Sequence, residues 1–266
     1  MKKMILAAVV MVSLPAIAMA DYAANVLSLS PSVYYRLDDA SVGTAADSSG
    51  NAANGSHTAA GIVATNVAGA IPGNGALDVS GLAVTTPADL TSGTADFSVS
   101  IWVQPHDFGN GDWGTYFFMG SPTNNNGFIL NESGGGGAAD GQVVPGRYGG
   151  NIGDSVGRMT LDAWNHVGFT YDGGNDVGKL YLDGALDNTF EGTGGLNIAS
   201  GAGVLGALSN GGQPFNGSID EFAFFTSTLS DAQMATLGTV PEPSSLLLLA
   251  LGTIGLGAIS LRRRGK

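Results

Sequence analysis

The chain has 266 residues, no cysteine, 43 glycines and a formal charge of −12. The missing thiols exclude disulfide stabilisation, thiol catalysis and Cys-rich zinc sites. The acidic balance argues against nucleic acid as a partner and is compatible with bound cations.

At the front, Lys2 and Lys3 precede an apolar run from Met4 to Ile17, and Ala18-Met19-Ala20 has the small-x-small form of a signal peptidase site. Residues 1–20 are therefore expected to be a signal peptide cut between Ala20 and Asp21, with the exported domain spanning 21–239. Between 21 and 240, four basic residues (Arg36, Arg147, Arg158, Lys179) stand against 21 acidic ones. Short alternating bursts of Val, Ile, Phe, Tyr, Thr and Leu separated by glycine-rich turns predict an all-β fold, an antiparallel sandwich of two sheets.

In "FSVSIWVQP", Phe97, Val99, Ile101 and Val103 fall on one face of a strand and Ser98, Ser100, Trp102 and Gln104 on the other, ending at Pro105. The glycine-rich stretch that follows holds two short strand candidates, Tyr116 to Met119 and Gly127 to Asn131. "WNHVGFTYDGGNDVGKLYLDGAL" reads as strand, loop over 172–178, strand, and an Asp183-Gly184 turn of type I′. One short helix is expected near the end of the domain, with Ser230 as N-cap, Asp231 in the first turn and Gly238 past the last. It is expected to cover a sheet edge or end.

The segment 240–266, "VPEPSSLLLLALGTIGLGAISLRRRGK", carries a charge-free run of 17 residues at 245–261 and then Arg262, Arg263, Arg264 and Lys266. As a helix that run reaches about 25 Å, enough for a thin hydrocarbon core. The basic tail would stay cytoplasmic, with the domain on the far side. Pro241-Glu242-Pro243, the short transmembrane helix and the arginine cluster resemble the PEP-CTERM sorting signal. The resemblance implies recognition by exosortase and anchoring in the inner membrane before delivery to the cell surface or extracellular matrix.

The order of "VYYRLDD", "ADSSGNAANGSH", "GNGALDVSG", "FSVSIWVQP", "WNHVGFTYDG", "LYLDGAL" and "FNGSIDEFAFFTSTLSDAQM" resembles the concanavalin A-like (laminin G-type) lectin/glucanase domain. That resemblance implies a jelly roll with the first and last strands as neighbours. It also implies that the 46–57 loop approaches the Ile-Asp-Glu strand, where Asp47, Asn51, Asp220 and Glu221 would hold a structural Ca²⁺. The alternative is that "DSSGN" is only a turn with Asx side chains bonded to the backbone.

Laminarinase-type members of this fold carry E-x-D-x-x-E or E-x-D-x-E, and this chain has neither motif. The glutamates before Val240 are Glu132, Glu191 and Glu221, and Glu132 with Asp140 would be a noncanonical catalytic pair at most. His57, His106 and His166 lack Ser-His-Asp or metal-ligand spacing. For sugar, Trp113 and Tyr116 are the candidate stacking rings, with Asp112, Asn124 and Asn126 as polar partners. The resulting expectation is an exported, non-enzymatic domain that binds polysaccharide or glycoconjugate. Its rivals are a structural or adhesive surface protein without a sugar site, and a divergent glycoside hydrolase.

Overall fold

A computed structural model describes residues 22–39, 43–57, 66–87, 90, 95–108, 113–123, 126–133, 140–196 and 202–240. The expected signal peptide, the Ala20–Asp21 junction and the segment from Pro241 onward, with its expected transmembrane helix, lie outside the described residues. Among the described residues no helix is long and apolar enough to cross a membrane.

After a helix over residues 22–28, α1, come β1 (Val33–Tyr35), β2 (Thr44–Ala45), β3 (Gly55–His57), β4 (Asn66–Ala68), β5 (Gly75–Asp78), β6 (Val84–Thr85) and β7 (Phe97–Pro105). Next are β8 (Gly114–Thr123), β9 (Asn126–Glu132), β10 (Val143–Arg147), β11 (Gly150–Asn151), β12 (Asn165–Asp172), β13 (Val177–Leu182) and β14 (Ala185–Glu191). The chain closes with β15 (Gly203–Leu205), β16 (Gly217–Phe225) and α2 (Asp231–Leu237). The strands form two antiparallel sheets, which is the expected sandwich.

The first sheet runs β14-β13-β12-β7-β16-β5-β4, and the second runs β11-β10-β9-β8-β15-β6-β3-β2. On the side of β16 away from β7, two short strands share one edge. β5 pairs with Ser218 and Ile219, and β1 pairs with Phe222 to Phe224, so the first and last strands are neighbours. Against β7 the register of β16 shifts between Asp220 and Ala223. The bulge therefore lies where β5 hands over to β1.

Alternation along β7 places Phe97, Val99, Ile101 and Val103 in the core between the sheets, as the pattern predicts. Phe97 is ringed there by Phe128, Phe169, Tyr171 and Phe224 at centroid distances of 5.1 to 6.0 Å. The opposite face of this sheet is also covered. Tyr22 and Val26 of α1, Ile71 of the turn between β4 and β5, and Met234 and Leu237 of α2 pack over Tyr34, Trp102, Tyr181, Ala223 and Phe225. This third layer explains why β7 is buried on both sides except at Gln104.

Helix α2 begins as expected. Ser230 Oγ accepts from the Gln233 amide at 3.3 Å and Gln233 Oε1 accepts from the Ser230 amide at 2.8 Å, a full capping box. It packs on the first sheet at its β14 edge, as expected, with Ala235 and Gly238 against the Gly184 turn and Met234 and Leu237 pointing to the sheet. A single helix was expected; α1 is a second one, and the i, i+4 pair Tyr22 and Val26 is its buried stripe. The two helices meet where Tyr22 OH donates to the Leu237 carbonyl at 3.0 Å and accepts from Trp102 Nε1 at 2.9 Å. Asp183 and Gly184 have φ of 48° and 76°, as a type I′ turn requires.

Gly168, in the middle of β12, leaves room for Met234: a Cβ there would lie 2.8 Å from the Met234 sulfur. Gly168→Ala is expected to cost ~1–3 kcal/mol by overpacking, and Met234→Ala ~2–5 kcal/mol by leaving a cavity. In urea unfolding, the double variant should cost clearly less than the sum of the two, since the smaller side chain accommodates the added methyl. Full additivity would show that the helix does not rest on that strand.

Candidate functional site

Three places bring chemistry-bearing side chains together. The first is the β16 bulge, where Asp220 and Glu221 are adjacent and buried, 0% and 2% exposed. Glu221 has φ of 49°, which turns both side chains out of the regular alternation. Asp220 accepts from the Ala70 amide at 2.8 Å, the Glu221 amide at 2.9 Å and Asn74 Nδ2 at 3.4 Å. Glu221 accepts from Asn74 Nδ2 at 2.7 Å and from the Tyr34 hydroxyl, with Arg36 Nε 4.0 Å away.

Burial raises the Asp220 carboxyl well above its usual range, and the neighbouring Glu221 adds to the rise. Burial likewise pushes Glu221 up to about 7, against the opposing Tyr34 hydrogen bond and Arg36 charge. Two adjacent buried acids with one guanidinium at 4.0 Å are a poorly compensated pair when ionised. The Asn74 Oδ1 atom is also buried without a hydrogen-bond partner. Turning that amide over would add its oxygen to the carboxylate oxygens, an all-oxygen set of the kind a hard cation takes. The chemistry of these residues fits Ca²⁺, although among the described residues no three His, Asp or Glu side chains gather as a metal cluster.

The 46–57 loop adds no side-chain oxygen to that pair, although Tyr34 spans the two with its amide on Asp47 and its hydroxyl on Glu221. Both Asp47 oxygens are occupied: Oδ1 by the Tyr34 and Ser49 amides at 3.0 and 2.9 Å, Oδ2 by the Ser49 hydroxyl and Ala53 amide at 2.7 and 2.9 Å. These bonds hold its pKa below the usual carboxylate range despite partial burial. Four donors meet its four lone-pair sites, so in this arrangement Asp47 locks a turn. Asn51 Nδ2 ties the same loop to the Pro31 and Ser32 carbonyls at 3.2 and 3.1 Å. Of the four expected ligands, the structure brings together only Asp220 and Glu221. Asn74, Tyr34 and Arg36, which complete their surroundings, lie in the "GNGALDVSG" and "VYYRLDD" stretches, which marked the fold but not a site.

The second place surrounds Glu132 at the end of β9. It is fully buried, accepts from the Tyr116 hydroxyl at 3.3 Å and has Oε1 without a partner. Burial pushes its carboxyl up to about 8; the Tyr116 hydrogen bond works against the shift and the Asp107 charge with it. Tyr116 is also fully buried, edge-on to Phe215 at 4.9 Å, so its faces are closed to a sugar ring. That corrects its expected role as a stacking platform. Trp113 is half-buried beside it; Asp112 and Asn124 lie outside the described residues, as does the Asn126 side chain. Asp140 is exposed and forms no pair with the buried Glu132.

His166 is buried, with Nε2 2.9 Å from Ser100 Oγ and Nδ1 unpartnered. Burial lowers its pKa to about 3, and no carboxylate orients the ring. A catalytic triad would need such a carboxylate.

The third place is a groove of about 730 Å³ between β12, β13 and the start of α2, lined by Thr170, Asp172, Asn175, Lys179, Asp231 and Gln233 among others. Lys179 Nζ and the Tyr181 hydroxyl each donate to Asp231 at 2.8 Å. Asp172 accepts from the Asn175 side chain at 2.7 Å and its amide at 3.0 Å. These donors lower the pKa of Asp231 and of Asp172, so both are ionised at neutral pH. The sequence offers Asp172 only as a loop residue, because the facing wall of the groove comes from residues 228–233, more than fifty positions away.

The concanavalin A-like lectin/glucanase superfamily, in its laminin G form, matches residues 78–235. The chain belongs to that superfamily. The PEP-CTERM protein-sorting motif matches residues 239–264, which marks this laminin G-like protein for export and exosortase-dependent delivery to the cell surface or exterior. No curated protein matches the sequence. Among solved structures, domain 4 of AbnA, a GH43 extracellular arabinanase from Geobacillus stearothermophilus in complex with arabinotriose, has a TM-score of 0.63. It is 23% identical, and the alignment covers 79% of this chain and 98% of that one. The botulinum neurotoxin serotype D binding domain has a TM-score of 0.56 and 15% identity, over 80% of this chain and 52% of that one. At these identities both establish the shared fold.

Because the folded state keeps the Glu132 proton up to about pH 8 while an unfolded glutamate loses it near its ordinary value of 4.5, stability should fall as pH rises through that window. Glu132→Gln keeps the shape and removes the titration. Unfolding free energies from pH 5 to 8 should decline less steeply in this variant than in the wild type; an unchanged slope would contradict the burial of an acid there.

Proposed function

We propose that this laminin G-like domain is a non-enzymatic glycan-binding module delivered to the cell surface or matrix, and that it takes saccharide in the groove between β13 and α2. The observation that carries this reading is the convergence of Lys179, Asp231, Asp172, Asn175 and Gln233 on one open groove. Adjacent sugar hydroxyls need a donor and an acceptor side by side, and the Lys179–Asp231 pair presents both in a fixed arrangement. Val177 and Leu229 give the same groove apolar surface for sugar C–H groups. Its volume is within the ~300–1,000 Å³ usual for small-ligand sites. The arabinotriose complex of the similar arabinanase domain supports the class of ligand. Among the described residues that line the groove none is aromatic, so affinity should be modest and carried by polar contacts.

The protonation states support recognition without turnover. Glycoside hydrolysis needs one carboxyl with a raised pKa to protonate the leaving oxygen. Asp172 and Asp231 have lowered values, while Glu132, Asp220 and Glu221, whose values are raised, are buried away from the groove. Titration calorimetry with arabino-oligosaccharides should show binding that Lys179→Ala and Asn175→Ala each weaken about tenfold, roughly 1.4 kcal/mol, with no release of reducing ends. Trp113→Ala should leave it unchanged. Indifference to a panel of oligosaccharides would favour a structural surface protein instead.

The same reading assigns a structural Ca²⁺ to Asp220, Glu221 and Asn74. When bound, the cation would neutralise the paired carboxylates and tie the β4–β5 turn to the last strand. Calcium should raise the melting temperature and EDTA reverse the rise, since only ligands that prefer the folded state stabilise it. Asp220→Asn and Glu221→Gln should each remove the response, and Asp47→Ala should keep it. A response lost in Asp47→Ala but kept in the other two would place the cation in the 46–57 loop.

A further inference from the structure

The C-terminal end of the folded domain and the start of the sorting segment lie at one face of the molecule. Val240 packs partly buried against the layer formed by α1, the β4–β5 turn and α2. Only four residues separate it from the apolar run 245–261, and two of those four are Pro241 and Pro243. Five Cα-to-Cα steps reach about 17 Å at full extension. While the tail is embedded, the layer carrying Val240 must therefore stay within that distance of the hydrocarbon boundary.

The charge distribution fits that placement. Between 21 and 240 the chain carries 21 acidic residues against four basic ones, yet residues 22–35 and 232–240 and the turn over 69–74 contain no charged residue, and the charge of Asp231 at the start of α2 is paired with Lys179 at 2.8 Å. Leu27 of α1 is 41% exposed, and Ala24, Asn25, Ser28, Ala235, Thr236 and Thr239 are exposed neutral neighbours. An acidic surface is repelled by anionic headgroups within about a Debye length, ~8 Å at physiological salt. A neutral face carrying an exposed leucine is not.

We propose that the α1–α2 face is the membrane-facing surface of the anchored protein, resting on the lipid headgroups of the bilayer that holds the sorting segment. The second sheet, on the other side of the core, is then turned away from the membrane. The Tyr22–Leu237 bond ties α1 to α2 and so keeps this surface in one piece.

The chain contains no cysteine, so single-cysteine labels report one position each. The full chain, reconstituted in vesicles with nitroxide-labelled headgroups, would carry a fluorophore at Leu27→Cys or Thr236→Cys, with Thr44→Cys and Ser56→Cys on the second sheet as comparison. Quenching at 27 and 236 should exceed that at 44 and 56 several-fold, and the contrast should grow when anionic lipid replaces zwitterionic lipid. Equal quenching at all four positions, stronger quenching at 44 and 56, or a contrast that vanishes in anionic vesicles would overturn the proposal. Wild-type melting temperatures in the labelled variants would show that the fold is intact in each.

Discussion

Carboxylates that accept backbone N–H groups hold this sandwich together at its turns. Asp47 takes three amides, Asp176 takes those of Gly194 and Gly195, Asp187 takes those of Val156 and Gly157, and Asp96 takes that of Gly173. Asp183 bonds the His166 amide across a hairpin, and Asp220 bonds that of Ala70 across the sheet. Each bond is charge-assisted, and several join segments far apart in sequence. In a glycine-rich chain without disulfides, these acceptors fix loops that would otherwise cost conformational entropy to order. Much of the negative charge is thus spent on internal bonding, and the same groups become liabilities when acid protonates them.

Where the bonding pattern differs, the chemistry differs. Asp220 and Glu221 lie at the single point along β16 where one neighbouring strand ends and another begins, and the bulge there turns two acids into a covered pocket. The cover is the third layer: α1, the β4–β5 turn and α2 leave the middle strands β7 and β16 buried on both faces. That layer also sets up the groove at the start of α2, since Asp231 and Gln233 reach β13 only because Met234 and Leu237 anchor the helix to the sheet.

Local pattern made much of this fold readable in the sequence. The alternation in "FSVSIWVQP", the Asp183-Gly184 turn and the Ser230 cap depend on neighbours in the chain, and each forms as expected. Tyr116 was misleading because a tyrosine beside glycines resembles a binding-loop aromatic, whereas a register shift between Thr115 and Phe117 turns it into the core. Asp47 and Asp220 are similar as sequence features. The difference between a saturated turn acceptor and an underpaired buried acid depends on how the loop closes Ala53 onto Asp47 and on Tyr34 and Asn74, which arrive from other segments. The groove was invisible for the same reason, since its walls come from 170–179 and 228–233.

The central functional claim is that saccharide occupies that groove. Hydrogen–deuterium exchange of the full chain, with and without an arabino-oligosaccharide, tests it most directly because it reports every segment at once. Protection gained at 170–179 and 228–233, with little change elsewhere, is the predicted result. Protection confined to the second sheet around Trp113, or none at saturating saccharide, would contradict it.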